Sequence, residues 1–284
     1  MPCAAKPAVR GAEPVYARRA AMNLLLPRHR AALERFADAG EREPRKVLLA
    51  FDYDGVLAPL VPDPAGTRMR AATRSLLVRL SEVYPCAVVS GRSWRHTARL
   101  VDGAVPIVVG NHGFELGRPV PIPRAILAKV RRWRRELEQG LAGVEGLYFE
   151  DKRCTLAVHY GLSPGWRRAE RRVYEAANRL QGTRIIPGKR VLNVLPHDFP
   201  SKGDAIRALL ARRGLEAALY AGDDVTDEDA FAVGPPLVFG VHVGEGPSLA
   251  PWRIPSQRHV DELLRMLLRA RPPRRRLVRV RTAR

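Results

Sequence analysis

The sequence predicts an α/β protein, with a doubly wound (Rossmann-like) parallel-sheet core and an inserted α+β cap domain. Three observations carry this. Short apolar runs ending in polar turns alternate with helical periodicity three times between residues 46 and 109. The rhythm breaks at the proline-rich stretch 119–123, and it returns after Pro200. Between the breaks, strand-like segments gather around helices rich in arginine, as an insertion would.

The elements follow in order. Residues 1–44 read as an N-terminal extension, partly helical, with a helix over 28–39 closed by Gly40 and Pro44. KVLLAFD (46–52) is a buried parallel strand ending in acid and a glycine turn. A helix over 70–83, the strand CAVV (86–89), a helix through Val101 and a strand over 107–109 complete the first part of the core, 45–117. The cap is expected over 118–196. There Ile126, Val130, Trp133 and Leu137 fall at helical spacing, strand-like segments cover 147–149, 155–160, 183–186 and 190–195, and a further helix lies within 161–179. The second part of the core, 197–270, holds a helix over 202–213, strands over 217–221 and 236–243, and a helix over 259–269. A basic tail, 271–284, carries seven arginines and no acid.

Composition bounds the function. The 284 residues are 46% hydrophobic and 27% charged, which excludes a wholly disordered or collagen-like chain. No apolar run reaches the ~18 residues of a spanning helix, and the N-terminus has no apolar signal core, so a cytoplasmic protein without membrane association is expected. Cys3, Cys86 and Cys154 are odd in number and scattered, which argues against disulfides or a zinc cluster. The net charge of +20 comes from 43 arginines and six lysines. With abundant Ala, Val, Gly and Pro, that arginine excess matches GC-rich coding as well as a binding surface, so charge alone does not choose between nucleic acid and a small anionic substrate; nucleic acid is the disfavoured partner, and a monomer is expected.

Two acidic clusters stand at predicted strand ends: Asp52-Tyr53-Asp54-Gly55, and Gly222-Asp223-Asp224-Val225-Thr226-Asp227-Glu228-Asp229. Either alone would be a turn with a helix cap. Brought together by neighbouring strands, they would crowd negative charge into one crevice, and hard oxygen ligands select Mg²⁺. A carboxylate there can attack phosphorus, and an acid two residues on can protonate the leaving alcohol. Ser90-Gly91-Arg92, where a strand gives way to a helix, and Lys202, at the start of another, offer donors for phosphoryl oxygens.

The order DYDG, SGR, a later lysine and GDDVTDED resembles the four motifs of haloacid dehalogenase-like phosphatases. FDYDGVLAPLVPDP, VVSGRS, GNHGFEL, FEDKRCTLAVHY, SKGDAIRALL and AGDDVTDEDAF resemble the trehalose-6-phosphate phosphatase family over about residues 47–268. The resemblance implies a C2-type cap between the second and third motifs. It implies Asp52 as nucleophile, Asp54 as acid/base whose backbone carbonyl also binds Mg²⁺, and Ser90 and Lys202 as holders of the phosphoryl group. Asp223 becomes the third protein ligand of the metal, with Asp224 and Asp227 supporting it and its waters. In the cap, Glu150 and Lys152 match an E-x-K pair on sugar hydroxyls, and Lys189 matches a glycine-lysine step that reaches the glucose units. His112 and Glu115 match an H-G-x-E turn and are implied as contacts to substrate.

Three departures stand out. Val56 replaces the usual threonine of the first motif. In GKRVLNVLP, Asn193 stands for a sugar-binding glutamate and Leu195 for an arginine. Gly161 stands for an arginine after HY. The function implied is Mg²⁺-dependent dephosphorylation of trehalose 6-phosphate through an aspartyl-phosphate, the last step of trehalose biosynthesis. Another sugar or glycoside phosphate, such as glucosylglycerol phosphate, is the alternative within the class. A non-catalytic polyanion-binding protein using the basic tail is the alternative outside it.

Overall fold

A computed structural model describes residues 21–37, 46–61, 66–188 and 190–271. Lys189, most of the extension and the basic tail beyond Arg271 lie outside the described residues. Two layers of sheet organise the chain. The first is built from β1 (Met22–Asn23), α1 (Pro27–Ala37), β2 (Val47–Phe51), α2 (Ala71–Ser81), β3 (Cys86–Val89), α3 (Trp94–Val101), β4 (Ile107–Gly110) and β5 (Glu115–Leu116). The chain then leaves it for α4 (Arg124–Gly140), β6 (Tyr148–Asp151), β7 (Leu156–His159), α5 (Trp166–Ala177), β8 (Thr183–Gly188) and β9 (Val191–Pro196). It returns through α6 (Lys202–Arg213), β10 (Ala217–Gly222), α7 (Glu228–Phe231), β11 (Val238–Val243), β12 (Trp252–Ile254) and α8 (Val260–Ala270).

The core sheet runs β1-β12-β11-β10-β2-β3-β4-β5, parallel except for the β4–β5 pair. Its central strand shows why. Every residue of VLLAF is buried, with Leu49 and Phe51 in one apolar cluster and Leu48 and Ala50 in the other. Such a strand is stable only with helices on both faces. From β2 the chain runs outward through β3 and β4, and from β10 it runs the other way through β11 and β12, so β2 and β10 flank the switch point of the sheet.

The expected doubly wound core with an α+β insertion is present, with two additions. Residues 21–37 dock on the core: β1 extends the sheet beside β12, and α1 buries Leu33, Phe36 and Ala37 against α8. The short strands β1, β5 and β12 were not expected, because two or three residues carry no readable alternation.

The inserted sheet is antiparallel, in the order β6-β7-β9-β8. Leu156, Val158, Leu192 and Val194 pack on Val130, Trp133 and Leu137 of α4 and on Val173 of α5. Alternation turns their neighbours to the other face, toward the core. Register arranges these in rows: Glu150, Ala157, Asn193 and Ile186 in one, Tyr148, His159, Val191 and Gly188 in the next, and Leu195 beside Arg184. At the junction Leu195, Ile186 and Cys154 pack with Phe199, against Phe114 and Val225 of the core layer. Among the described residues no helix is long and apolar enough to cross a membrane.

Candidate active site

Because β2 and β10 are hydrogen-bonded neighbours, their carboxyl ends deliver the two acidic clusters to one crevice. Asp52 follows β2, donates its N–H to the Ala221 carbonyl (2.9 Å) and is 6% exposed. The chain then closes tightly: Gly55 donates to the Ala58 carbonyl (2.8 Å) and Ala58 to that of Tyr53 (2.9 Å). Gly55 has φ +74°, and a Cβ there would lie 2.2 Å from the Asp223 carboxylate. Only glycine permits both that backbone and that approach. Carboxylate oxygens of Asp52, Asp223 and Asp227 lie within 4.8 Å of one another.

Lys202 holds the buried side of this cluster. It is the first residue of α6, whose start is fixed by a capping box between Ser201 and Asp204. Its Nζ donates to Asp52 Oδ2 (2.8 Å) and Asp227 Oδ1 (2.7 Å), and the residue is 2% exposed. Burial opposes its charge, but Asp227 and Asp52 outweigh burial and raise its pKa. Asp227 is fully hydrogen-bonded: Oδ1 also accepts from the Tyr220 hydroxyl (2.6 Å), and Oδ2 accepts the N–H groups of Asp223 and Asp224 (2.9 Å each). Asp227, expected as a support of the metal, lies in this acidic cluster and also orders the lysine and the acidic loop. Asp52 is held well above the usual carboxylate range, first by burial and then by Asp227 and Asp223, with Lys202 opposing. That repulsion is what a cation would relieve, and the carboxylate oxygens of Asp52 and Asp223, with Asp227 behind them, are the hard donors that suit a divalent ion.

Asp54 points elsewhere. Arg92, expected to bind substrate, clamps it side-on, Nε to Oδ2 at 2.7 Å and NH2 to Oδ1 at 2.8 Å. Ser90, buried at the end of β3, accepts the N–H of Arg92 on its hydroxyl (3.1 Å) and the N–H of His112 on its carbonyl (3.0 Å). The His112 ring lies against Gly91, where a Cβ would meet it at 2.5 Å. Glu115, expected at the substrate, faces inward: its Oε2 accepts from the Trp94 N–H (2.6 Å) and Asn111 Nδ2 (2.7 Å), tying the turn to the start of α3.

The inserted sheet supplies the opposite wall. Glu150 Oε2 pairs with His159 Nε2 (3.0 Å) and Lys152 Nζ (3.7 Å). Burial would raise Glu150, but His159, Lys152 and, across the crevice, Arg92 lower it. Asn193 stands in the same row as Glu150, two residues along β9 from the apolar Leu195. Val56 is wholly buried in the apolar core, and the space beside Gly161 is taken by Arg190, whose guanidinium lies over Trp166. Sequence reasoning missed Tyr220, Asn111 and the Arg184–Asp229 pair (3.4 Å) between the layers. Only the register of β8 on β9 reveals which face Arg184 occupies.

A doubly wound core with acidic loops at its switch point, a buried lysine and a sheet inserted between the second and third motifs is the architecture of haloacid dehalogenase-like phosphatases. The family model for trehalose-phosphatase matches residues 50–253, and the chain belongs to that family. It is 34% identical over 242 residues to a bifunctional trehalose-6-phosphate synthase/phosphatase of Thermoproteus tenax, covering 81% of this chain and 32% of that protein. It is 31% identical over 198 residues to the trehalose-phosphate phosphatase of Mycobacterium marinum, covering 65% and 51%. The fold matches that of the C. albicans trehalose-6-phosphate phosphatase C-terminal domain with a TM-score of 0.73, at 21% identity, over 88% of this chain and 98% of that one. The chain spans 32%, 60% and 51% of the length of the first three curated relatives it matches.

Proposed function

We propose that this chain is a Mg²⁺-dependent phosphomonoesterase that converts trehalose 6-phosphate to trehalose and phosphate, with residues 118–196 as its cap. The buried Asp52–Lys202 pair beside Asp223 carries the reading. Lys202 orients one oxygen of Asp52 and offers positive charge to the incoming phosphoryl group. Asp52 attacks phosphorus, the P–O bond to the sugar breaks, and Asp54 protonates the departing sugar oxygen. For this Asp54 must leave Arg92, and Glu150 on the cap is the second carboxylate near that guanidinium. Asp54 then takes a proton from water, which attacks the aspartyl-phosphate and restores Asp52. Ser90 and the backbone at Gly91 hold phosphoryl oxygens. Asp52, the Asp54 carbonyl and Asp223 would hold Mg²⁺, with Asp224 beside them, and its charge would offset that of the phosphoryl oxygens.

On the cap, Glu150, Lys152 and Asn193 face the core and are read as contacts to sugar hydroxyls, together with Lys189. Cap closure would exclude water. The test is phosphate release in Mg²⁺ from trehalose 6-phosphate beside a panel of sugar phosphates, including glucosylglycerol phosphate. Preference for trehalose 6-phosphate, lost in Asp52→Asn, is the expected result. Preference for another member moves the substrate, and no Asp52-dependent release overturns the reading.

A further inference from the structure

At the seam between cap and core, three polar side chains have groups without partners. Both ring nitrogens of His112 are buried and unpaired, and the residue is 6% exposed. Thr155 Oγ1, on a residue 1% exposed, is also unpaired. Arg184 spends NH1 on Asp229 Oδ2 at 3.4 Å, while its Nε and NH2 are buried with no acceptor. Folded interiors leave few such groups, and a cluster of them marks a place that another molecule completes.

These groups share one location. Arg184 is the register partner of Leu195, and Thr155 lies one residue before the Leu156–Val194 pair, so Leu195 stands between them on the core-facing side. Leu195 is buried among apolar side chains and gives this row no polar atom. The His112 ring lies close by: burial lowers its basicity first, and Lys152, Lys202 and Arg184 lower it further. Each of these cations already has a carboxylate partner, so what the spot offers a ligand is the open hydrogen-bonding groups of His112, Thr155 and Arg184.

The geometry of Arg184 narrows the ligand. Nε and NH2 form the side-on edge of a guanidinium, two parallel N–H donors suited to two adjacent oxygens. Arg92 uses this same edge to grip Asp54. In Arg184 the edge is unpaired, while Asp229 holds the far nitrogen and fixes the plane. Neighbouring hydroxyls on a sugar ring present such a pair of oxygens, and Arg184 belongs to the cap face that carries Glu150 and Asn193.

We propose that Arg184 is a specificity-determining residue of the cap, oriented by Asp229, whose Nε and NH2 bind adjacent hydroxyl oxygens of the sugar beside the phosphoester. The proposal rests on the sugar-phosphate reading above. The test compares kcat/KM for the preferred sugar phosphate of the panel with that for p-nitrophenyl phosphate, which has no hydroxyls. Arg184→Ala is expected to lower the sugar-phosphate value about 10- to 100-fold, mostly through KM, and the aryl value at least ten times less. Arg184→Lys keeps charge but loses the two-donor edge, so it recovers little. Asp229→Asn gives a smaller loss of the same kind. Thermal unfolding of each variant separates this from damage to the fold. Equal falls on both substrates, an unchanged sugar preference, or full rescue by lysine would overturn the role of Arg184. A wild type that prefers no sugar phosphate overturns the reading of function as well, whereas a preference that survives Arg184→Ala overturns only this proposal.

Discussion

The two walls of the crevice are finished to different degrees. On the core wall, Lys202 has two carboxylate partners and Asp227 accepts four hydrogen bonds. On the seam with the cap, His112, Thr155 and Arg184 hold buried groups without partners. On the proposed function, the difference matches what each wall would recognise. A phosphoryl group develops the same charge in every ester, so its donors can be fixed in advance by the fold. A sugar would bring its own hydroxyls, and donors meant for them would stay unpaired until it arrived.

The sharpest challenge to the core wall is Asp52→Asn. The amide keeps the shape and leaves Lys202 paired to Asp227, so the fold should hold, while phosphate release falls by roughly 10⁴-fold or more. Residual release above a hundredth of wild type would show that Asp52 is not the nucleophile. Asp227→Asn strikes the same wall through its support. Unlike Asp52, Asp227 accepts four hydrogen bonds, so an amide there turns donor hydrogens toward groups that themselves donate, as well as removing one of the lysine's charges; a loss of about 3–5 kcal/mol is expected, read as a lower urea midpoint together with slower turnover. If stability is unchanged, the core wall is less dependent on that network than its geometry indicates.

Much of the core wall could be read from the chain. Asp52 and Asp223 announce themselves as acids at the ends of wholly apolar runs, and such runs are buried parallel strands. Lys202 is legible for a similar reason, since Ser201 and Asp204 mark a helix start. What each acid of GDDVTDED does is not legible: nothing in the run sets Asp223 apart from Asp227, four residues on, which pairs with Lys202, and only folding places Tyr220 opposite Asp227. The Asp54–Arg92 pair joins residues 38 apart by way of two neighbouring strands. Arg184 was overlooked because its face depends on how β8 registers against β9. Nothing in the sequence marks Trp94 and Asn111 as the partners that hold Glu115 away from the substrate side.

On the cap wall, Glu150→Gln keeps the shape and removes the charge that holds His159 and Lys152. Hydrogen bonds to a charged group are worth about 1.5–3 kcal/mol, so a roughly tenfold or greater loss in kcat/KM for the sugar phosphate is expected. The loss for p-nitrophenyl phosphate should be several times smaller. Equal losses would mean that Glu150 serves the chemistry through Arg92 rather than the sugar, which would blur the contrast between the walls.

The smallest effect concerns whether the seam is as closed in solution as it is here. Burial, with Lys152, Lys202 and Arg184, holds His112 well below its ordinary value of 6.5. The unfolded chain therefore binds a proton near that pH that the folded chain refuses. The contribution of His112 to stability is fully present above about pH 6.5. It falls as the pH drops through that value, by at most about 1.4 kcal/mol per unit for one proton, until the folded ring itself titrates. Asp52 pulls the other way at lower pH, because its raised folded value favours the native state as protons are added. The informative quantity is thus the difference between wild type and His112→Asn, taken from urea unfolding between pH 7.5 and 5.5 with metal chelated. Asparagine tolerates the positive φ of 57° at this position. The wild type should lose stability faster than the variant as the pH falls. Parallel curves would mean that the ring meets water and protonates freely, so that the cap stands open and the unpaired groups at the seam are solvated until substrate binds.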